Sequence, residues 1–123
     1  MTERRALVVD DDVHIRHVLR EMLPDEGYVV REAADGLSAL EALATWTPTV
    51  IILDLMMPVM DGREFRAGQR ALDRAVDVPV VVLSASRQIR ATDDLDAAAV
   101  IPKPFDLAEM LQIVESVQNP LAS

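Results

Sequence analysis

Short apolar runs alternate with segments of helical periodicity along the whole chain, and this alternation occurs five times. The runs are continuously apolar, which is typical of parallel strands that helices bury on both faces. We therefore predict an α/β fold with a doubly wound, parallel five-stranded sheet and helices on both of its faces. The predicted strands are residues 5–10, 28–33, 49–54, 78–85 and 98–102. The predicted helices, of which the fourth is weakly patterned, are residues 13–27, 37–46, 62–72, 87–95 and 107–117.

The composition is that of a globular domain, because 50% of the 123 residues are hydrophobic and 27% are charged. The net charge of −9 argues against direct nucleic-acid binding, which depends mostly on Lys and Arg contacts to phosphates. The absence of cysteine excludes disulfides, thiolate metal sites and cysteine nucleophiles. No apolar run is long enough to cross a bilayer and no signal segment begins the chain. We therefore expect no membrane contact and a cytoplasmic location.

Four of the five predicted strands end in, or are followed by, polar residues: the acidic run 10–12, Asp54, Ser84 and Lys103. In doubly wound sheets the working site lies beyond the carboxyl ends of the strands, so we expect these side chains to meet. Two or three carboxylates this close repel one another unless a hard cation such as Mg²⁺ lies among them. A cation, a lysine and a hydroxyl that face one carboxylate would form a receptor for a phosphoryl group, with the carboxylate as a candidate nucleophile.

Each of these residues has a simpler explanation when it is taken alone. Asp12 can cap the helix that follows it, Ser84 can be a turn residue, and Lys103 can be a solvated surface residue. His14 and His17, three residues apart beside the acidic run, are interpreted as surface residues rather than metal ligands. The functional interpretation therefore depends on the whole set. Four strand ends of one chain carry the carboxylates, the hydroxyl and the ammonium that a phosphoryl receptor needs.

The motifs together resemble those of the receiver domain of bacterial two-component response regulators. The matching segments read LVVDDD, IILDLMMPVMDG, VVVLSAS and KPF, at residues 7–12, 51–62, 80–86 and 103–105. The resemblance covers essentially the whole chain and implies a flavodoxin-like fold with strand order 2-1-3-4-5, and a cis peptide before Pro104. We therefore expect residues 1–123 to form a single receiver domain, with no output domain in this chain.

The resemblance also implies which residues carry the reaction. Asp54 would accept the phosphoryl group, Ser84 would hydrogen-bond to it, and Lys103 would pair with it. The donor would be a phosphohistidine on a sensor histidine kinase or on a histidine phosphotransfer protein. Phosphorylation would switch contacts with a downstream protein. The domain would catalyse its own phosphoryl transfer and slow loss of phosphate, but it would not be a turnover enzyme.

The same resemblance implies a metal site beside Asp54. Asp11 would bind Mg²⁺, or Mn²⁺, directly and Asp10 mainly through water, while Asp54 and the backbone carbonyl of Met56 would supply further ligands. The Met56 position also lines the path of the hydrolytic water in this family. Because methionine is bulky and apolar, one hypothesis is a fairly long-lived phosphoryl state. The alternative is that Met56 merely fills space.

Two features depart from the pattern of the family. Val100 stands three residues before Lys103, where an aromatic residue is usual, and valine has no ring that could rotate together with Ser84. The segment between Ser84 and Lys103 is also shorter than usual. We therefore predict a truncated or irregular fourth helix, and we do not expect the dimer that is typical of the family.

Two other functions would use part of the same set of residues. A phosphatase of the haloacid dehalogenase type would use Asp10 and Asp12 as a D-x-D motif. That family needs a further acidic pair after the lysine, which is missing here, and gives no reason for Asp54. A receiver-like binding module that is never phosphorylated is conceivable because of Val100, but the complete set of acids, serine and lysine argues against it.

Overall fold

The structure is a computed structural model that describes residues 3–54, 62–72, 77–84 and 97–118. Its strands are β1 (Arg4–Val9), β2 (Tyr28–Ala33), β3 (Val50–Asp54), β4 (Val80–Ser84) and β5 (Ala99–Pro102). The α-helices in the described ranges are α1 (Val13–Met22), α2 (Gly36–Leu43), α3 (Gly62–Leu72) and α4 (Leu107–Gln118). None of these helices is long and apolar enough to cross a membrane. The predicted helix 87–95 lies outside the described residues, so its truncation stays a prediction.

The five strands form one parallel sheet in the order β2-β1-β3-β4-β5, which confirms the expected strand number, direction and order. β3 and β4 are buried along their entire length, and β1 is buried from Ala6 to Val9. This continuous burial explains why their sequences are apolar runs rather than alternating patterns. From β1, the next strand along the chain (β2) lies on one side and β3 lies on the other, so the order of strands reverses at β1. At such a switch point a crevice forms beside the carboxyl ends of β1 and β3.

Successive strand residues point to opposite sides of the sheet, so continuously apolar strands give the sheet two apolar faces. Helices cover both of these faces. On one face, α2 and α3 pack against strand side chains that include Leu7, Ile51 and Val82. On the other face, α1 and α4 pack against strand side chains that include Val8 and Ile52. Each fully buried Leu, Ile or Val stabilises the fold by about 1.5–3 kcal/mol relative to an exposed position. The doubly wound arrangement is therefore confirmed, and its two cores hold the strand ends in place.

The first helical segment ends differently from the prediction of a single helix over residues 13–27. The α-helix stops at Met22, and the chain continues as a 3₁₀ turn over Leu23–Glu26. Pro24 has no N–H to donate to an α-helical carbonyl, which explains the change. Gly27 then ends the segment with a left-handed φ of 90°, as predicted.

The helical spacing of apolar residues predicts buried faces that include Val18 of α1, Leu107 of α4, and Leu37, Leu43 and Ala44 of α2; the structure agrees with this only in part. Leu43 of α2 is fully buried as predicted, but Leu37 is 50% exposed and Ala44 is also exposed. Only two of the eight residues of α2 are polar, so its spacing does not define a single apolar face. Val18 of α1 and Leu107 of α4 are likewise more exposed than predicted, because they line an open groove between these two helices.

Gly68 lies where α3 passes close to α2. A Cβ atom at position 68 would lie 2.6 Å from the Cδ1 atom of Leu40, which is closer than carbon atoms normally approach. The sequence indicates that Gly68 weakens α3, and glycine does cost about 1 kcal/mol in a helix interior. The structure shows what the missing side chain provides, which is room for Leu40 between the two helices.

Gly68→Ala is expected to stabilise the protein by about 1 kcal/mol in a Leu40→Ala background, but by less than about 0.5 kcal/mol in the parent. Alanine improves helix propensity in both backgrounds, whereas only the parent has a leucine methyl group in the way. Urea unfolding of the parent, the two single variants and the double variant measures the coupling. Equal effects in the two backgrounds would show that Leu40 moves aside without cost.

Candidate functional site

Three carboxylates meet at the carboxyl end of the sheet. Asp10 follows β1 directly, Asp11 is the next residue, and Asp54 is the last residue of β3. One carboxylate oxygen of each residue lies within 4.8 Å of the others. Since β1 and β3 are neighbours in the sheet, their ends bring Asp10 and Asp54 side by side. Asp10 and Asp54 are 0% and 4% exposed, whereas Asp11 is exposed.

Lys103 reaches across the site from the segment that follows β5, and it is the only lysine of the chain. Its Nζ atom lies 3.2 Å from Oδ2 of Asp10 and 3.4 Å from Oδ1 of Asp54. The side chain of Lys103 is 19% exposed, so these ion pairs are shielded from much of the solvent. The peptide between Lys103 and Pro104 is cis, as the resemblance implies.

Ser84 lies at the same edge of the sheet. It is the last residue of β4, is 1% exposed, and pairs in register with Pro102 of β5. Its carbonyl accepts a hydrogen bond of 2.8 Å from the Lys103 N–H. Asp54 ends the neighbouring strand β3 and pairs in register with Leu83. The strand ends that the sequence singles out therefore converge at one edge.

The charge and the donor atoms of this cluster fit a hard divalent cation. Three carboxylates and one ammonium group have a formal charge of −2. Carboxylate oxygens are the ligands that Mg²⁺ prefers. The metal-compatible cluster found in the described part of the chain includes neither His14 nor His17. The Nδ1 atom of His17 lies 2.8 Å from Nη2 of Arg20 instead, in keeping with a surface role.

Hydrogen bonds hold Asp10 on several sides. Its N–H donates to the carbonyl of Ala33 at 3.1 Å, and its Oδ1 atom accepts from the Asp12 N–H at 2.9 Å. Its carbonyl accepts a hydrogen bond of 2.7 Å from Nη1 of Arg16. Sequence reasoning missed Arg16, because a charged residue on an amphipathic helix is usually solvated. The available signal was its position three residues before Leu19, on the buried side of α1.

Asp12 has a different role from Asp10 and Asp11. Its Oδ1 atom accepts a hydrogen bond of 2.8 Å from the His14 N–H and so caps the start of α1. This confirms the simpler explanation of Asp12. A carboxylate engaged in a helix cap is not paired with Asp10 as a D-x-D motif requires, which argues against a phosphatase of the haloacid dehalogenase type.

Of Met56 and Val100, only Val100 lies in the part of the chain that the structure describes. Met56 lies outside the described residues, so its carbonyl ligand and its effect on phosphoryl lifetime stay predictions. Val100 is half-buried in β5, pairs with Val82 and packs against the core on the α2–α3 face of the sheet. The position at which an aromatic residue is usual therefore holds a packed aliphatic side chain.

Comparisons with known proteins agree with this geometry. A family model of the response regulator receiver domain matches residues 6–115. The response regulator MprA of Mycobacterium ulcerans is 43% identical over 110 residues, which cover 87% of this chain and 47% of the relative. The chain thus spans about half the length of this curated relative.

Solved receiver domains share the fold. One belongs to a sensor histidine kinase of Pseudomonas aeruginosa PAO1 and has a magnesium ion coordinated in its active site cleft. It matches with a TM-score of 0.84 and 26% identity, over 95% of this chain and 98% of that one. The response regulator TrrA of Thermotoga maritima, in complex with Mg²⁺–BeF, matches with a TM-score of 0.81 and 30% identity, over 93% of this chain and 98% of that one. With its sheet order, its acidic edge and a family match over most of its length, the chain belongs to the response regulator receiver domains of two-component systems.

Proposed function

We propose that the domain is the phospho-acceptor of a two-component system or phosphorelay. Asp54 takes a phosphoryl group from a phosphohistidine of a sensor histidine kinase or a histidine phosphotransfer protein. The phosphorylated domain then changes its contacts with a downstream protein. The observation that carries this proposal is the position of Lys103, whose ammonium lies within 3.4 Å of two buried carboxylates from adjacent strands. The domain is a switch rather than a turnover enzyme, because the phosphoryl group stays on Asp54 until hydrolysis removes it.

A purely structural role does not account for this arrangement. Buried carboxylates such as those of Asp10 and Asp54 are costly unless they are paired, and their cluster with the exposed Asp11 carries more negative charge than the ammonium of Lys103 offsets. A sheet edge that served only packing would be at least as stable with apolar residues in these positions. The excess of negative charge supports a site that receives a cation and a phosphoryl group, and it argues against a binding module that is never phosphorylated.

The residues that would hold Mg²⁺ are Asp10, Asp11 and Asp54, together with the carbonyl of Met56 that the family resemblance implies. When bound, the cation neutralises negative charge on the phosphoryl oxygens. The magnesium in the matched structures from P. aeruginosa and T. maritima supports this assignment. Mn²⁺ would suit the same oxygen donors.

Asp54 supplies the nucleophile. Its carboxylate oxygen forms a bond to phosphorus while the bond between phosphorus and the imidazole nitrogen of the donor breaks. The electron pair of the broken bond stays on the imidazole nitrogen, which takes a proton from water. β3 is buried and is hydrogen-bonded to both β1 and β4, so Asp54 keeps its position during the transfer.

Lys103 and Ser84 act on the transferred group. The Lys103 ammonium already lies 3.4 Å from Oδ1 of Asp54, so a short movement lets it pair with a phosphoryl oxygen. The Ser84 hydroxyl, at the end of the next strand, donates a hydrogen bond to another phosphoryl oxygen. The backbone hydrogen bond of 2.8 Å between Lys103 and Ser84 links the two residues. Movement of both residues toward the phosphoryl group would carry the signal to β4 and β5.

The test is an intact-mass measurement of the chain after incubation with acetyl phosphate. We expect one added phosphoryl group in the presence of Mg²⁺ and none when EDTA removes the metal, because the acidic site repels an anionic donor. Addition that does not depend on the metal would contradict the proposed site. No addition from acetyl phosphate, nor from a phosphohistidine donor, would leave a receiver-shaped binding module as the function.

A further inference from the structure

Arg16 of α1 makes contacts that the proposed mechanism does not use. Its Nη1 atom donates a hydrogen bond of 2.7 Å to the backbone carbonyl of Asp10. Its Nε atom lies 3.4 Å from Oε1 of Glu32 on β2, and its side chain is only 17% exposed. Arg16 therefore connects β2 to the point at which β1 ends and the acidic site begins.

The carbonyl that Arg16 binds influences the direction of two carboxylates. The carbonyl of Asp10 and the N–H of Asp11 belong to one planar peptide unit, so holding the carbonyl fixes the orientation of the whole unit. Asp10 lies at one end of this unit and Asp11 at the other, and both contribute an oxygen to the cluster with Asp54. Rotation of the unit would move Asp11 away from the other two carboxylates.

Glu32 balances the charge of Arg16. A guanidinium beside an acidic site opposes the binding of a cation, and the contact with Glu32 offsets that effect. Arg20, one helical turn further along α1, also pairs with Glu32, with 3.2 Å between Nη1 and Oε2. The other bond of Arg20 goes to His17 rather than to the acidic site. The two arginines thus share one partner and differ in the contact with Asp10.

We infer that Arg16 is a positioning residue that holds the peptide between Asp10 and Asp11 and so orients two carboxylates for a divalent cation. The inference rests on the proposed function, since it concerns the same metal site. Groups that hydrogen-bond to metal ligands typically contribute 10- to 100-fold to metal affinity, and hence about tenfold is expected here, where the contact is to the backbone of the ligand residues.

The sign of the effect separates positioning from other roles of Arg16. If the residue acted only through its charge, its removal would make the site more negative and Mg²⁺ would bind more tightly. If it acted only on stability, the Mg²⁺ affinity of the folded protein would not change. Positioning predicts weaker binding by a protein that is still folded.

The experiment titrates the chain with MgCl₂ by isothermal titration calorimetry and compares Arg16→Met with Arg20→Met. Methionine keeps a long apolar side chain but donates no hydrogen bond. We expect the dissociation constant for Mg²⁺ to rise about tenfold in Arg16→Met and to change less than about twofold in Arg20→Met. Urea unfolding checks that both variants are folded. Should Arg16→Met not fold, Arg16→Lys replaces it, because a single ammonium lacks the fork that serves both the carbonyl and Glu32.

The possible results lead to different conclusions. Unchanged or tighter Mg²⁺ binding by the folded Arg16 variant would overturn the inference and leave the proposed function standing. Equal weakening in the Arg16 and Arg20 variants would also overturn it, because the effect would then come from Glu32. A parent that binds no Mg²⁺ would overturn the metal-dependent function and the inference together.

Discussion

Asp54→Asn is expected to take up no phosphoryl group, whereas Asp12→Asn is expected to take it up at a rate close to that of the parent. The amide of asparagine has no anionic oxygen to attack phosphorus. Asparagine at position 12 keeps the cap of α1, and its N–H still donates to Asp10. Each change removes one negative charge from the same edge of the sheet, so the pair separates loss of the nucleophile from loss of charge.

Intact mass after incubation with acetyl phosphate and Mg²⁺ measures uptake in all three proteins. Both variants should remain folded in urea titrations, since Lys103 still has Asp10 as a partner when Asp54 is replaced. A phosphoryl group on Asp54→Asn would place the acceptor elsewhere in the chain. Equal losses in the two variants would point to a general effect of charge instead of a single nucleophile.

Lys103→Ala is expected to slow phosphorylation of Asp54 by about 100- to 1,000-fold, because a positive charge that stabilises the transferring group is lost. The same variant is expected to bind Mg²⁺ at least as tightly as the parent. In the structure the ammonium lies 3.2 Å from Asp10 and 3.4 Å from Asp54, and so it competes with a cation for these carboxylates. Transfer and metal binding should therefore change in opposite directions.

Single-turnover phosphorylation and Mg²⁺ calorimetry test the two halves of this expectation. Lys103→Arg is the matched control, because it keeps the charge while replacing a compact ammonium with a planar guanidinium. In the absence of metal, Lys103→Ala should lose about 1–3 kcal/mol of stability, since Asp10 and Asp54 each lose one ion-pair partner, and Mg²⁺ should restore part of it. Weak Mg²⁺ binding combined with slow transfer would contradict the prediction and would indicate that Lys103 positions the carboxylates of Asp10 and Asp54.

Much of the fold and of the candidate site could be predicted from the sequence, because both depend on strand ends. Continuous apolar runs indicate buried parallel strands, and parallel strands bring their carboxyl ends to one edge. Asp10, Asp54 and Ser84 follow or close such runs, so their placement required no knowledge of side-chain contacts. The strand order and the pairing role of Lys103 came instead from the family resemblance, which the sheet order and the ion pairs agree with.

The features that the sequence did not show depend on how helices sit against the sheet. An arginine that binds a backbone carbonyl just beyond a strand, as Arg16 does, has the same sequence pattern as an arginine in solvent. Leu37 is exposed although its spacing predicts burial, because α2 is apolar on nearly all sides and its pattern does not define one buried face. The function of Gly68 depends on the position of Leu40, which belongs to another helix. By contrast, the early end of α1 has a local cause in Pro24, which is visible in the sequence.

The position of each strand in the sheet also determines how the site can move. β1 and β3 have strand neighbours on both sides, so we expect their amide hydrogens to exchange with solvent only when the sheet as a whole opens. β5 has one strand neighbour and is partly exposed, so we expect its amides to exchange through local opening. Asp10 directly follows β1 and Asp54 is the last residue of β3, whereas Lys103 follows the edge strand β5. The acids therefore keep their geometry during local fluctuations, while the lysine can be displaced without unfolding of the domain.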